Sequence, residues 1–429
     1  MSRLQALRRD MQTESGRNAL WGMAAEAGQL VVSLGIFVGL ALVLETAEFG
    51  LYSAVVAMAM IMANFAHAGG HVLMIRRVAR GADLEPEWQR TVTTVVLGTA
   101  LGTALLMLLR PVFVSEVDVT SFALITLAQT TFFWLAEAAT QASQAMRKLQ
   151  VGAQSKLTFA MVRLASLGGF TLFSDRTLES WAYWALGGAL VGSLGSILII
   201  ERSFGIRTRF KPPTMADLRM GMPFVLSATS DGVLDSIDKP LLTKYQFTEA
   251  AGFYSIGYRI ATISVLPIMA MARATDAAFF EKGKRDPAEA LAFARKLTLR
   301  SASYGLAVGV ALFLAAPLLP WAFGEKFDDV ATVLKVVSVL PLLRGIQMFP
   351  ANALTGSDRH NVRLALMMSA MLLNLGLNII FIPRYSWKGA VGTTLVAETA
   401  FAIALWIAAG RLKPNVGSEA GQPVATVAG

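Results

Sequence analysis

The chain has 429 residues, a mean hydropathy of +0.54, 55% hydrophobic residues and only 16% charged ones. A soluble chain of this length needs far more polar surface to cover its core, since soluble proteins carry about 25% charge. The absence of cysteine excludes disulfides, iron–sulfur clusters, thiolate zinc sites and a cysteine nucleophile. The net charge of +9 lies mainly in loops on one side of the expected membrane spans, which argues against a nucleic-acid partner.

In chain order, the segment Met1 to Arg17 is polar and carries Arg3, Arg8, Arg9 and Arg17. The apolar stretch after it has no small-residue cleavage site near its end, so it reads as a first membrane helix and not as a signal peptide. A membrane helix needs about 20 mostly apolar residues. Twelve segments meet that pattern, at 18–44, 49–73, 91–109, 119–144, 157–174, 181–200, 220–239, 250–273, 299–322, 331–353, 364–382 and 389–410. The seventh and eighth are the least apolar. The segment 414–429 is small and polar and is expected to be a disordered cytoplasmic tail.

Orientation follows from lysine and arginine, which concentrate in cytoplasmic loops. With the N-terminus inside, the outward segments hold only Arg110, Arg176, Lys239, Lys244, Lys326, Arg384 and Lys388. The inward segments hold most of the rest, including Arg76, Arg77, Arg80 and Arg90, the run Arg202 to Arg219, and Lys282, Lys284 and Arg285. Both termini are therefore expected in the cytoplasm, with an even number of spans.

A polar link from Glu201 to Arg219, containing Pro212-Pro213, lies near the middle of the chain. Glu48-Phe49-Gly50-Leu51-Tyr52-Ser53 opens the second span, and Glu249-Ala250-Ala251-Gly252-Phe253-Tyr254-Ser255 opens the eighth. The shared Gly-x-Tyr-Ser at equivalent places suggests a parallel repeat of six helices. The expected fold is thus an all-α integral membrane protein of about 12 transmembrane helices. Its lobes would be residues 1–210 and 211–413.

Ionisable residues inside a membrane are costly and usually face a wet cavity or a partner. Here they include Glu26, His67, His71, Glu137, Arg163, Asp231, Asp235, Asp238, Arg259, Lys335, Arg344 and Glu398. Such a set fits a water-accessible vestibule between two helix bundles. Asp231, Asp235 and Asp238, spaced i, i+4, i+7, share a helical face that could take up a cation or proton. The alternative is that Asp238-Lys239 pairs at the interface. Glu137 is a further carboxylate for ion coupling. Arg163, Arg259 and Arg344 offer forked donors suited to phosphate, or pair with the carboxylates. Lys335 joins them as a cation for substrate binding. His67 and His71 share a face but lack a third metal ligand, so no metal site is expected. Nor is there a Walker motif, a Gly-rich dinucleotide loop or a catalytic triad, so no cofactor and no enzymatic role are expected. Na+ or H+ coupling would supply the energy.

The ordered motifs resemble the polysaccharide flippases of the multidrug/oligosaccharidyl-lipid/polysaccharide exporter superfamily. They are Glu48 to Tyr52 with Arg76 to Arg80, then Asp235 to Lys239 with Ala251 to Arg259. Phe323 to Phe327 with Leu354-Thr355-Gly356 follow, and Asn374 to Asn378 with Ile382 to Tyr385 and Gly389 to Gly392 close the series. The resemblance implies two six-helix lobes, alternating access and a polyprenyl-pyrophosphate-linked oligosaccharide as substrate. It places Arg259 near an arginine of the related peptidoglycan-precursor flippases. It also places Asp235, Asn374, Asn378 and Thr394 near a sodium site, with Asn378 standing where a carboxylate is often seen. Partners implied are the lipid bilayer, a polysaccharide polymerase and glycosyltransferases. The implied location is the bacterial inner (cytoplasmic) membrane. A cation-coupled multidrug antiporter of the same superfamily is the competing expectation. A membrane glycosyltransferase is disfavoured because every outward loop is short.

Overall fold

The computed structural model describes residues 14–412. The N-terminal residues before Glu14, with Arg3, Arg8 and Arg9, and the expected tail 414–429 lie outside the described residues. Among the described residues there are α-helices, one π-helical turn and one short 3-10 turn, and no strands.

The first helices are α1 (Glu14–Val43), α2 (Thr46–Ala66), α3 (Gly70–Val78), α4 (Leu84–Phe113), α5 (Val119–Leu127), α6 (Phe133–Ala145), α7 (Leu149–Phe173) and α8 (Leu178–Phe204). They are followed by α9 (Met215–Ser236), α10 (Asp238–Lys244), α11 (Thr248–Ile263), α12 (Leu266–Arg285), α13 (Pro287–Ala315) and α14 (Leu318–Phe323). The last four are α15 (Asp328–Val337), α16 (Leu340–Gly356), α17 (His360–Tyr385) and α18 (Trp387–Gly410).

Nine helical segments among the described residues are long and apolar enough to cross a membrane, or ten if the bent pair α11 and α12 makes one span. The two other expected spans meet sequence features that work against a simple apolar rod. The first falls on α9, which carries Asp217, Arg219, Asp231 and Asp235. The second is split between α15 and the 17-residue α16. The twelve-span count and the cytoplasmic termini rest on the charge distribution.

By packing, the described residues form two compact units, those up to 255 with 378–390, and 256–377 with those from 391 onward. The six-helix lobes are a division by sequence repeat, and their border at 210 falls inside the first unit. In that unit a buried cluster of Met74, Trp88, Val92, Leu135 and Ile200 draws on α3, α4, α6 and α8. In the second, Phe279, Ala294, Leu297 and Phe349 pack α12, α13 and α16 together.

Helices approach closely where lipid-facing chains commonly place small residues. On α13, Ser301, Gly305 and Gly309 recur every four residues. A Cβ on Gly305 would lie 2.4 Å from the Pro341 carbonyl oxygen, and Ser301 Oγ donates to Gly345 O at 2.7 Å. The expected second span breaks at His67 to Gly69 instead of continuing to residue 73. Gly69 sits at φ +66°, and a Cβ there would meet the Gly221 backbone at 3.0 Å. The break thus lets α9 cross the junction of α2 and α3, and Gly69 is the residue type that tolerates this conformation.

The repeated Gly-x-Tyr-Ser has a direct packing consequence. A Cβ on Gly50 would fall 1.9 Å from Thr248 O, and one on Gly252 would fall 2.2 Å from Thr46 O. Each glycine meets the carbonyl four residues before the other. α2 and α11 therefore cross reciprocally, with the two copies of the motif as the point of contact.

Candidate functional site

Two polar clusters and one helix-end network lie in the first unit. Lys156 of α7 is buried, with its ammonium 2.6 Å from Glu26 Oε1 of α1 and 3.9 Å from Glu137 Oε2 of α6. Gln141 Nε2 donates to Glu137 Oε1 at 3.5 Å. One buried cation thus serves two carboxylates, an arrangement in which an entering proton or cation competes with the lysine. Sequence reasoning found Glu26 and Glu137 but counted Lys156 with the inward loop. The usable signal was its position a full two turns inside α7.

The expected aspartate row is divided between helices. Asp231 is exposed and Asp235 half-buried, both on α9, whereas Asp238 opens α10 and is 1% exposed. The hydroxyl of buried Tyr254 donates to Asp238 Oδ2. Lys239 N donates to Asp238 Oδ1 at 2.9 Å, and its ammonium lies 3.3 Å from the same oxygen. Asp238 therefore anchors α10 to α11.

Where α3, α4 and α9 meet, Arg77 bridges Glu87 (2.9 Å) and Asp217, while Arg90 holds the other Glu87 oxygen at 2.6 Å. Asp217 also forms a capping box with Thr214 at the start of α9. Burial alone would push the Asp217 carboxyl up. The hydrogen bonds and charge of Arg77, with the Thr214 cap, carry it below the ordinary carboxylate range.

In the second unit, Arg344 of α16 pairs with Glu398 of α18. Glu398 is 2% exposed and also accepts from Gln347 Nε2 at 2.7 Å. Nearer the ends of α12 and α16, a cavity of about 210 Å³ is lined by Arg273, Asp276, Asn352 and Arg363 among others. Asn352 Nδ2 donates to Asp276 Oδ1 at 2.9 Å, and Arg363 donates to Thr355 Oγ1 at 3.1 Å. This polar pocket was not singled out in the sequence, because its five polar residues, Arg273, Asp276, Asn352, Thr355 and Arg363, come from three separate helices.

The remaining expected residues lie on several helices. Arg163 of α7 is half-buried, with its guanidinium 5.6 Å from the Phe159 ring centroid. Arg259 of α11 and Lys335 of α15 are exposed. Asn374 and Asn378 of α17 and Thr394 of α18 are all buried, and Thr394 Oγ1 has no hydrogen-bond partner among the described residues. His67 and His71 pack on each other at 4.7 Å between ring centroids and on Trp134. Among the described residues no group of three histidine or acidic side chains converges as metal ligands.

All-helical packing, with nine segments among the described residues long and apolar enough to cross a bilayer, defines a multi-pass membrane fold. Solved structures agree. The chain is similar to the inward-facing conformation of a multidrug resistance MATE family transporter of the MOP superfamily, at 17% identity and a TM-score of 0.70, covering 90% of this chain and 95% of that one. A MOP superfamily transporter from Pyrococcus furiosus, described as having a binding pocket of reversed polarity, aligns at 16% identity and a TM-score of 0.64, covering 93% and 96%. The outward-facing conformation of a MATE family transporter aligns at 15% identity and a TM-score of 0.57, covering 96% and 99%. No curated protein matches the chain in sequence. The family model for polysaccharide biosynthesis proteins matches residues 15–278, and the chain belongs to that family.

Proposed function

We propose that the protein is a flippase that moves polyprenyl-pyrophosphate-linked oligosaccharides across the bacterial cytoplasmic membrane for cell-surface polysaccharide synthesis. The observation that carries this reading is the polysaccharide biosynthesis family match across residues 15–278. Cations within helices add to it. Arg163 and Arg344 lie on α7 and α16, and Arg259 on α11. Guanidinium groups keep their charge at any relevant pH and pair with phosphate oxygens through forked donors. In alternating access a guanidinium of this set would bind the pyrophosphate while the polyprenyl tail stays in the bilayer. Na+ or H+ coupling would act at the Lys156 cluster of the first unit, where Glu26 and Glu137 share one cation. A polymerase and glycosyltransferases would work on either side of the step.

The test is a deletion strain with the rest of its pathway intact. Lipid-linked oligosaccharide should accumulate on the inner leaflet and surface glycan should fall. Unchanged levels of both would refute the reading. Arg259→Ala should fail to restore surface glycan at native expression, and Arg259→Lys should restore part of it.

A second reading, a cation-coupled multidrug antiporter, draws on the multidrug resistance transporters that share the fold. Glu26 and Glu137 suit a cationic drug better than a pyrophosphate. Drug hypersensitivity of the deletion strain, with normal surface glycan, would favour it.

A further inference from the structure

The first unit contains a larger cavity that none of the roles above uses. It measures about 780 Å³ and is bounded by the α10–α11 turn, the α17–α18 turn and Ala47 of α2. Its volume matches that of small-ligand sites, about 300–1,000 Å³, and it is a depression open at the surface of the unit.

Its walls are held by backbone. Phe247 N donates to Leu242 O at 2.9 Å and Gln246 N to Thr243 O at 3.0 Å, which closes the α10–α11 turn with Gln246 at φ +64°. The α17–α18 turn is closed by Ser386 N on Ile382 O at 2.8 Å, with Ser386 at φ +52°. Beneath the rim, the reciprocal crossing of Gly50 and Gly252 fixes the start of α11.

The lining combines ring faces with charge. Phe253 meets Trp387 edge to face at 6.1 Å, and Tyr385 is 57% exposed. Arg384 and Lys388 are exposed cations, with the Lys388 ammonium 5.9 Å from the Trp387 ring centroid. Glu249 supplies one carboxylate. The exposed Tyr385 ring, which stacks on Phe381 on one side, can match the C–H face of a sugar ring, and its hydroxyl and Glu249 can hydrogen-bond to the sugar's hydroxyl rim. Two cations against one carboxylate favour a ligand that bears negative charge.

We propose that this cavity binds an acidic saccharide, a short glycan segment carrying carboxylate or phosphate. The charge distribution assigns Lys244, Arg384 and Lys388 to the outward side. On the flippase reading, on which only this direction rests, the site would hold the glycan as it emerges.

Isothermal titration of the purified full chain in detergent tests the proposal with tetragalacturonate, neutral maltotetraose and inorganic pyrophosphate. Tetragalacturonate should bind at least tenfold tighter than maltotetraose. The exposed double variant R384Q/K388Q should erase that preference, and Y385A should weaken both saccharides. No saturable tetragalacturonate binding would overturn the proposal, as would a preference that survives R384Q/K388Q. Equal displacement by pyrophosphate would also overturn it, by assigning a simple anion site. A membrane-interface role for Trp387 and Tyr385 alone corresponds to the first of these results. Binding in detergent requires no transport. Precursor accumulation without saccharide binding would therefore sink this site and spare the flippase reading, and saccharide binding without accumulation would do the reverse.

Discussion

Replacing Gly50 by alanine should open the crossing of α2 and α11. The added methyl would sit 1.9 Å from Thr248 O and 2.8 Å from Gly252 N. Ordinary contact is about 3.5 Å or more, so the helices must part by at least roughly 1.5 Å at this point. Both opposing atoms are backbone, so no side-chain rotation relieves the overlap. Overpacking typically costs about 1–3 kcal/mol, and a backbone-to-backbone clash belongs at or above the top of that range. Gly252→Ala should behave alike, because its methyl would lie 2.2 Å from Thr46 O. The double variant should cost less than the sum, since either methyl already separates the pair. Gly168→Ala and Gly187→Ala are the controls. A Cβ at either position has nothing within 4 Å, so alanine should leave stability unchanged or raise it by about 0.5–1 kcal/mol. The assay is heating of the purified protein in detergent, with the folded fraction read by size-exclusion chromatography. At a fixed heating rate, G50A and G252A should lose the folded peak several degrees below the parent, and the controls should not. An unchanged midpoint for G50A, or equal losses in G168A, would refute the reciprocal-crossing argument.

Three further outcomes are expected. Arg344→Gln should destabilise the second unit by about 3–5 kcal/mol because it leaves the buried Glu398 charge without its cation, and R344Q/E398Q should recover most of the loss in thermal unfolding. Asp217 has a folded-state pKa below its unfolded value of about 3.9. Its stabilisation is therefore present above that value and lost as pH falls through the lower folded value, so Asp217→Asn should flatten the acid limb of a stability-against-pH curve. Because the parent has no cysteine, single cysteines report topology cleanly. Arg176→Cys should react with a membrane-impermeant maleimide from outside, and Lys284→Cys only after permeabilisation; the reverse pattern would invert the assigned orientation.

The fold class was legible because apolar runs long enough to span a bilayer need no knowledge of neighbours. Helix breaks were less legible. The run 49–73 is apolar enough to read as one span despite Asn64, His67 and His71, and the approach of Gly221 is what sets the bend at Gly69. The row Asp231, Asp235 and Asp238 was visible as a spacing. Spacing says nothing of which member is buried, and here Tyr254 and Lys239 enclose Asp238 while Asp231 stays exposed. Glu137 and Glu398 were recognisable as costly membrane charges, but their partners, Lys156 and Arg344, come from other helices.

By itself, then, the amino-acid sequence determined that this is a helical membrane protein, and the echo of Gly-x-Tyr-Ser marked two equivalent places in it. Both follow from local properties, namely hydropathy over a window and residue identity. Tertiary structure alone decided that those two motifs cross each other, that Lys156 sits between two carboxylates, and that Arg384, Lys388 and Trp387 share a cavity with Phe253. Such contacts join residues far apart in the chain, and only the packed helices fix which side chains come within reach.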